Sequence, residues 1–326
     1  MLYILLFCEG HKGSIYTLEY APDGQTLASG SFDKTVLLWS TGGAINEDAD
    51  TYHDYQNDES TNSYKNYNQL SGHKNAVLDL TWSGDSQNIV TASADKMLFV
   101  WDAILGTRIK KFQGHGGVVN AVDCSKSINC IGSASDDCTV KIWDARQKKA
   151  VATFTHDYQV TSVAFSLDGS NIYSAGIDND IYEWDLRQMN VQTPSMKIKG
   201  HKDTVTCLKM SPNGNYLLSN SMDGTIKMWD VRPFVEGDQR EMKVFLGGKH
   251  SAERGLLKCA WSAHGDMVTG GSSDQAVHIW DELTTEELYY LPGHNGCVNS
   301  VVFHPKEHVI ASGSSDKTIY VGELSN

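Results

Sequence analysis

The run GIDNDIYEWDLRQ, Gly176–Gln188, carries Asp178, Asp180, Glu183 and Asp185. Carboxylates this close together are ligand chemistry for a hard cation, or a pair for general acid–base work. Asp178, Asp180 and Tyr182 fall on loop positions one, three and five of a calcium-binding hand. That template then needs Gly where Glu183 stands and Glu where Met189 stands, so the match fails. As a strand, DIYEW alternates sides, which keeps Asp180 and Glu183 from converging. HPKEH, His304–His308, spaces two imidazoles as a helical metal site would. Pro305 puts it in a turn instead, where both histidines are expected to be solvated. GSFDKT and GSSDKT resemble a phosphate loop only faintly. They lack the Gly before Lys and lead into a strand rather than a helix. No nucleophile elbow, dinucleotide fingerprint or Cys–His pair stands in a suitable context. The residues therefore point away from an enzyme, a resident metal or a cofactor.

Those carboxylates sit in a chain of 326 residues, 40% hydrophobic, with a formal net charge of −13. An acidic chain is a poor match for sequence-independent nucleic-acid binding, which needs clustered Lys and Arg. Direct RNA contact is not expected to dominate. Seven cysteines, with no Cys-x-x-Cys, fit free thiols in a reducing compartment rather than disulfides or zinc. The apolar start, MLYILLFCEGH, is too short to cross a membrane and lacks the features of a signal peptide. A strand fits it better.

A repeat organises the chain. Gly-His occurs at His11, His73, His115, His201 and His294, and His156 and His250 take the same place without the Gly. Each His precedes a turn Asp: Asp33, Asp95, Asp137, Asp178, Asp223, Asp274 and Asp316. The separation is 22 residues, except 24 for His250 and Asp274. Six residues after the Asp stands Trp39, Trp101, Trp143, Trp184, Trp229 or Trp280, and Gly322 in the seventh unit. Between markers the sequence alternates with period two, as in SIYTLEYAPDGQTLASGSFDKTVLLW, and a further apolar stretch precedes each Gly-His. Each unit thus holds four strands. The markers resemble the WD-repeat family, and the expected fold is all-β: one seven-bladed β-propeller over residues 1–326. No fourth strand follows KTIYVGEL, whereas LYILLF precedes the first Gly-His. Leu2–Phe7 is expected to pair with the last blade and close the ring, which removes open edges.

The chemistry of the markers explains the repetition. Indole N–H only donates, carboxylate only accepts, and imidazole and hydroxyl do both. A chain from Trp through Ser or Thr and His to Asp satisfies all four inside a blade, at roughly 0.5–1.5 kcal/mol per bond. The hydroxyl could lie four or two residues before the Asp, as Ser29 or Ser31 in blade one and Thr91 or Ser93 in blade two. Both positions face the same side, so spacing leaves the choice open. Blade four has Gly176 at the nearer position and blade six Gly270 at the farther one.

What remains for function is surface. Residues 41–62 of blade one form an insertion rich in Asp, Glu, Asn and Thr. It reads as a disordered loop or an acidic partner-binding segment. Phe32, Ile177 and Met222 precede the turn Asp on one face, and Tyr158 follows His156 there. Large side chains at loop tips are what interface hot spots use. On the opposite face Arg146, Arg187 and Arg232 recur in WDAR, WDLR and WDVR. Each either pairs with an acid of its own turn or docks a partner. Lys148 and Lys149 beside Arg146 make a local patch that RNA could contact.

GIDNDIYEWDLRQ, YLLSNSMDGTIKMWDVRPF, QTLASGSFDKTVLLW and LPGHNGCVNSVVFHP resemble the WD-repeat subunits of the spliceosomal U-five small nuclear ribonucleoprotein. A generic blade does not require Asn179, Gln188, Pro233 or Phe234, and SSDKTIYVGEL matches that family's unusual last blade. The insertion after Trp39 and the short lead before the first strand depart from the family pattern. The resemblance implies a nuclear, non-catalytic scaffold in pre-mRNA splicing. It also implies binding to the large central spliceosome protein, with other U-five subunits nearby, by a chain that is monomeric outside the complex. The alternative is a substrate receptor of a cullin-type ubiquitin ligase, because the W-D-x-R repeats resemble the docking motif of such receptors.

Overall fold

The computed structural model describes residues 2–41, 64–126, 128–189, 192–234, 239–250 and 255–324. The expected insertion therefore lies outside the described residues, apart from Thr41. The strands form seven four-stranded sheets, each antiparallel. Blade one runs outward from Ile15–Tyr20 through Thr26–Ser31 and Thr35–Ser40 to Lys65–Ser71.

Burial falls from the axis outward. Every residue of the inner strand Val160–Phe165 is buried, whereas Lys65–Ser71 on the rim buries only Leu70. An inner strand is covered on both faces, so it reads as a continuous apolar run. The cores lie between blades: Val36 and Leu38 of blade one pack with Val77, Leu80, Ile89 and Trp101 of blade two.

Side chains of the inner strands cross from blade to blade. Asp79 accepts the Thr17 hydroxyl at 3.1 Å and the Val122 N–H at 2.9 Å, and pairs with Lys258 of blade six at 2.7 Å. Asp123 accepts the Phe165 N–H at 2.7 Å, and Ser300 the Leu18 N–H at 3.1 Å. His304 corrects an expectation: it is buried, and its Nε2 donates to Gly24 O at 2.8 Å, joining blades seven and one. Its Nδ1 accepts the N–H groups of Lys306 and Glu307, while His308 is exposed as expected.

The ring closes as the sequence implied. Leu2–Glu9 lies outermost in the last sheet and pairs antiparallel with Thr318–Leu324, with Leu2 opposite Leu324 and Glu9 opposite Thr318.

Candidate functional site

The interaction faces are positioned by the blade network. In blade one Trp39 Nε1–H donates to Ser29 Oγ at 2.8 Å. Ser29 Oγ lies 2.7 Å from His11 Nε2, and His11 Nδ1 lies 2.9 Å from Asp33. A carboxylate only accepts, so Nδ1 carries the proton and the serine donates to Nε2. Burial acts to raise the Asp33 carboxyl, but hydrogen bonds from His11, Thr35 and the Lys12 N–H outweigh it. They hold the group well below the usual carboxylate range. The same chain recurs as Asp95–His73–Thr91–Trp101, Asp137–His115–Ser133–Trp143 and Asp223–His201–Ser219–Trp229. The bridging hydroxyl is thus the one four residues before the Asp. The nearer hydroxyl ties down the turn instead, since Ser31 Oγ donates to Gly13 O and accepts the Asp33 N–H.

Three blades depart from this wiring. In blade seven His294 keeps Asp316 at 2.9 Å and Ser312 at 2.9 Å, and Tyr320 packs on the imidazole in the absence of a Trp. In blade four His156 and Trp184 share Ser174, but Asp178 is not paired with His156. It accepts the Tyr182 hydroxyl at 2.5 Å instead. Burial pushes His156 down to about 4, and burial pushes the Asp178 carboxyl up. In blade six the expected His250–Asp274 pair does not form either. Both ring nitrogens of His250 are buried without a partner among the described residues. Asp274 pairs with His278 at 3.1 Å, His278 Nδ1 lies 2.7 Å from Glu287, and Trp280 Nε1–H donates to Leu246 O at 2.9 Å. The physical reason is shared. Tyr182 and His278 stand two residues before the Trp, where blades one and two have Leu37 and Phe99. In these two blades the polar ring at that position takes the turn carboxylate.

The four carboxylates of the Gly176–Gln188 run go separate ways. Asp178 takes Tyr182, Asp180 pairs with Lys197 at 2.8 Å, and Asp185 pairs with Arg187 at 3.0 Å. Glu183 accepts from Asn171, Tyr173 and Ser195. Asp180 and Glu183 are therefore not free surface groups. Among the described residues no cluster of three His, Cys, Asp or Glu is placed to hold a metal ion.

The expected partner-binding residues fall into three places. The turns that carry Tyr158 and Ile177 adjoin on blade four, where the Ile177 N–H donates to Gln159 O at 3.2 Å; both side chains are exposed. Met222, on neighbouring blade five, is half-buried. Phe32 is exposed on blade one, away from the other three, with its ring edge-on to Tyr16. On the opposite face Arg146, Arg187 and Arg232 fold back on Asp144, Asp185 and Asp230 at 2.8, 3.0 and 2.5 Å. Hydrogen bonds from Arg146 draw the Asp144 carboxyl down to about 2. The guanidinium groups still face solvent beyond those bonds.

One feature of that face was not anticipated. A cleft of about 770 Å³ opens between blades four and five, lined by Arg187, Arg232, Arg240, Asp168, Glu183 and Tyr173. It exists because the outer strand of blade four is only Met196–Ile198 and pairs no further than Glu183. The 17 residues from Trp184 to His201, against 14 from Trp101 to His115, were its trace in the sequence.

Seven radial blades pinned by repeated Trp, His and Asp define a WD-repeat propeller, and the model of the family "WD domain, G-beta repeat" matches residues 3–40, 64–102, 106–144, 148–185, 192–230, 245–281 and 285–321. Among its relatives, the pre-mRNA-splicing factor cwf17 of Schizosaccharomyces pombe is 41% identical over 97% of this chain and 86% of its own length. The U5 small nuclear ribonucleoprotein 40 kDa protein of Dictyostelium discoideum is 42% identical over 97% of this chain and 83% of its own, and that of Homo sapiens 43% over 98% and 84%. The chain belongs to the WD-repeat family and, within it, to the group formed by these splicing proteins.

Proposed function

We propose that this chain is a non-catalytic scaffold subunit of a U5 small nuclear ribonucleoprotein, acting in pre-mRNA splicing in the nucleus. The observation that carries the reading is 41–43% identity to splicing proteins over nearly the whole chain. The geometry supports the non-catalytic part: in blades one, two, three and five the His, Asp and Ser or Thr groups that could do chemistry are bonded to one another. The partner is the large central spliceosome protein, met first through Tyr158, Ile177 and Met222 on blades four and five. Phe32 offers a separate contact on blade one, and Arg146, Arg187 and Arg232 serve the opposite face.

Affinity purification of the tagged full-length chain, read by mass spectrometry and RNA blotting, tests this. Recovery of spliceosomal proteins with U5 RNA is expected. Recovery of a ubiquitin-ligase adaptor and cullin would support the receptor reading instead. The double variant Ile177→Asp, Met222→Asp should cut recovery of the large partner about tenfold while folding stays intact. Normal recovery would remove these two residues from the interface.

A further inference from the structure

The lower corner of blades two and three is charged against the grain of the molecule. The chain carries −13 overall, yet Arg108, Lys110, Lys111, Arg146, Lys148 and Lys149 fall within 42 consecutive residues. All but Lys110 are exposed. The two blades are joined here, because Lys110 Nζ donates to Ala145 O, on the turn that carries Arg146. Lys148 and Lys149 make no ion pair among the described residues.

Large aliphatic side chains are exposed on the blade-two hairpin that Lys110 follows, while the Arg108 guanidinium turns back over Phe99. Ile104 is 71% exposed, Leu105 70% and Ile109 58%. Their exposure is built, not incidental. The Asp102 carboxylate accepts the N–H groups of Ile104 and Leu105 at 2.9 and 2.8 Å, and Gly106, at φ +67°, turns the chain back. The hairpin therefore holds both residues at its tip. The same bonds hold Asp102 in its turn, and Asp144 is paired with Arg146.

From this juxtaposition we propose that the corner docks an acidic, amphipathic segment of a partner protein, in which Asp or Glu alternates with large apolar residues. Lysine and arginine meet the carboxylates, and Ile104, Leu105 and Ile109 take the apolar side chains. RNA fits less well. The rings near the patch, Phe99, Phe112 and Trp143, are buried, and Arg108 and Lys110 already lie over the first two. None of these three rings is open for a base to stack upon, which single-stranded recognition uses. The surface is distinct from that of Tyr158 and Ile177, and the inference holds whichever complex contains the chain.

Fluorescence anisotropy with the full-length protein tests it. The probes are a labelled peptide of alternating Glu and Leu, a poly-glutamate peptide of equal length and an oligo-uridine of matching charge. The Glu-Leu peptide should bind at least about tenfold more tightly than either control and weaken with salt. Lys148→Glu with Lys149→Glu, and separately Ile104→Ser with Leu105→Ser, should each cost about tenfold, equivalent to about 1.4 kcal/mol. Melting temperatures within about 2 °C of the parent keep folding out of the comparison. Equal binding of poly-glutamate, tighter binding of oligo-uridine, or no binding at about 1 mM overturns the proposal. So does peptide binding that appears only after residues 42–62 are deleted, because the chain's own acidic stretch would then be the occupant.

Discussion

In blade two the loop imidazole His73 bridges Asp95 and Thr91, and Trp101 completes the chain. In blade six the corresponding His250 meets neither Asp274 nor a hydroxyl, and Asp274 turns to His278. The same pair of blades diverges at the lower turn. Asp281 holds its hairpin as Asp102 does, accepting the Thr284 N–H at 2.6 Å, with Leu283 exposed at the tip. Around Leu283 stand Glu282, Glu286 and Glu287, where blade two has Ala103, Thr107 and Arg108. A blade therefore fixes its backbone through a few bonds and leaves both its wiring and its surface charge open to change. Alternative wiring keeps the sheet because each polar group still needs only one partner. His250 is the group left over.

The comparison predicts unequal costs. The largest is Thr91→Val, which keeps shape but strands His73 Nε2 and Trp101 Nε1–H, at about 1–3 kcal/mol for each group. Urea unfolding measures it, and an unchanged midpoint would mean that the network adds nothing to stability. Next is Gly270→Ser, which restores to blade six the hydroxyl position used elsewhere. A Cβ there runs into Ile226 Cδ1, so a loss of about 1–3 kcal/mol is expected rather than a repair. A stabilised variant would mean that blade six was merely short of a hydroxyl.

The smallest effect belongs to His250→Leu, expected to be neutral or to stabilise by about 1 kcal/mol, since no bond is lost. It should also change the acid response. Burial lowers the His250 pKa, so its neutral ring favours the fold above the ordinary histidine value of about 6.5. That contribution disappears as pH falls through this value toward the folded one. Melting curves between about pH 7 and 5 should therefore be flatter for the variant; identical slopes would contradict a buried, unpartnered imidazole.

How much of this was legible in the sequence differs by feature. The blade count and closure followed from the recurring His-to-Asp spacing and from LYILLF standing before the first marker. Which hydroxyl bridges was not legible, because Ser29 and Ser31 face the same side of one strand. Blade six gave a warning in its spacing of 24, but the wiring of His278 needed the fold. Residue type two positions before the Trp is informative without being decisive. Tyr182 captures its turn Asp, whereas Tyr320, at the same place in blade seven, donates to Gly293 O and leaves His294 with Asp316. The apolar part of the candidate site was partly visible. The His-to-Asp register already put Phe32 on blade one and Tyr158 and Ile177 on blade four; what spacing could not give is that the two blade-four turns adjoin, with the Ile177 N–H donating to Gln159 O.

The closure of the ring also sets a clock. Leu2–Glu9 leaves the ribosome before its partner Thr318–Leu324, which follows some 300 residues later. At about 5–20 residues per second that is roughly 15–60 s. Through that interval an apolar strand waits without its neighbour, and the six blades behind it form an arc whose ends remain open to other chains. The burden of this fold thus falls on the nascent chain, and a helper that shields the first strand during synthesis would govern its yield more than any contact in the finished ring.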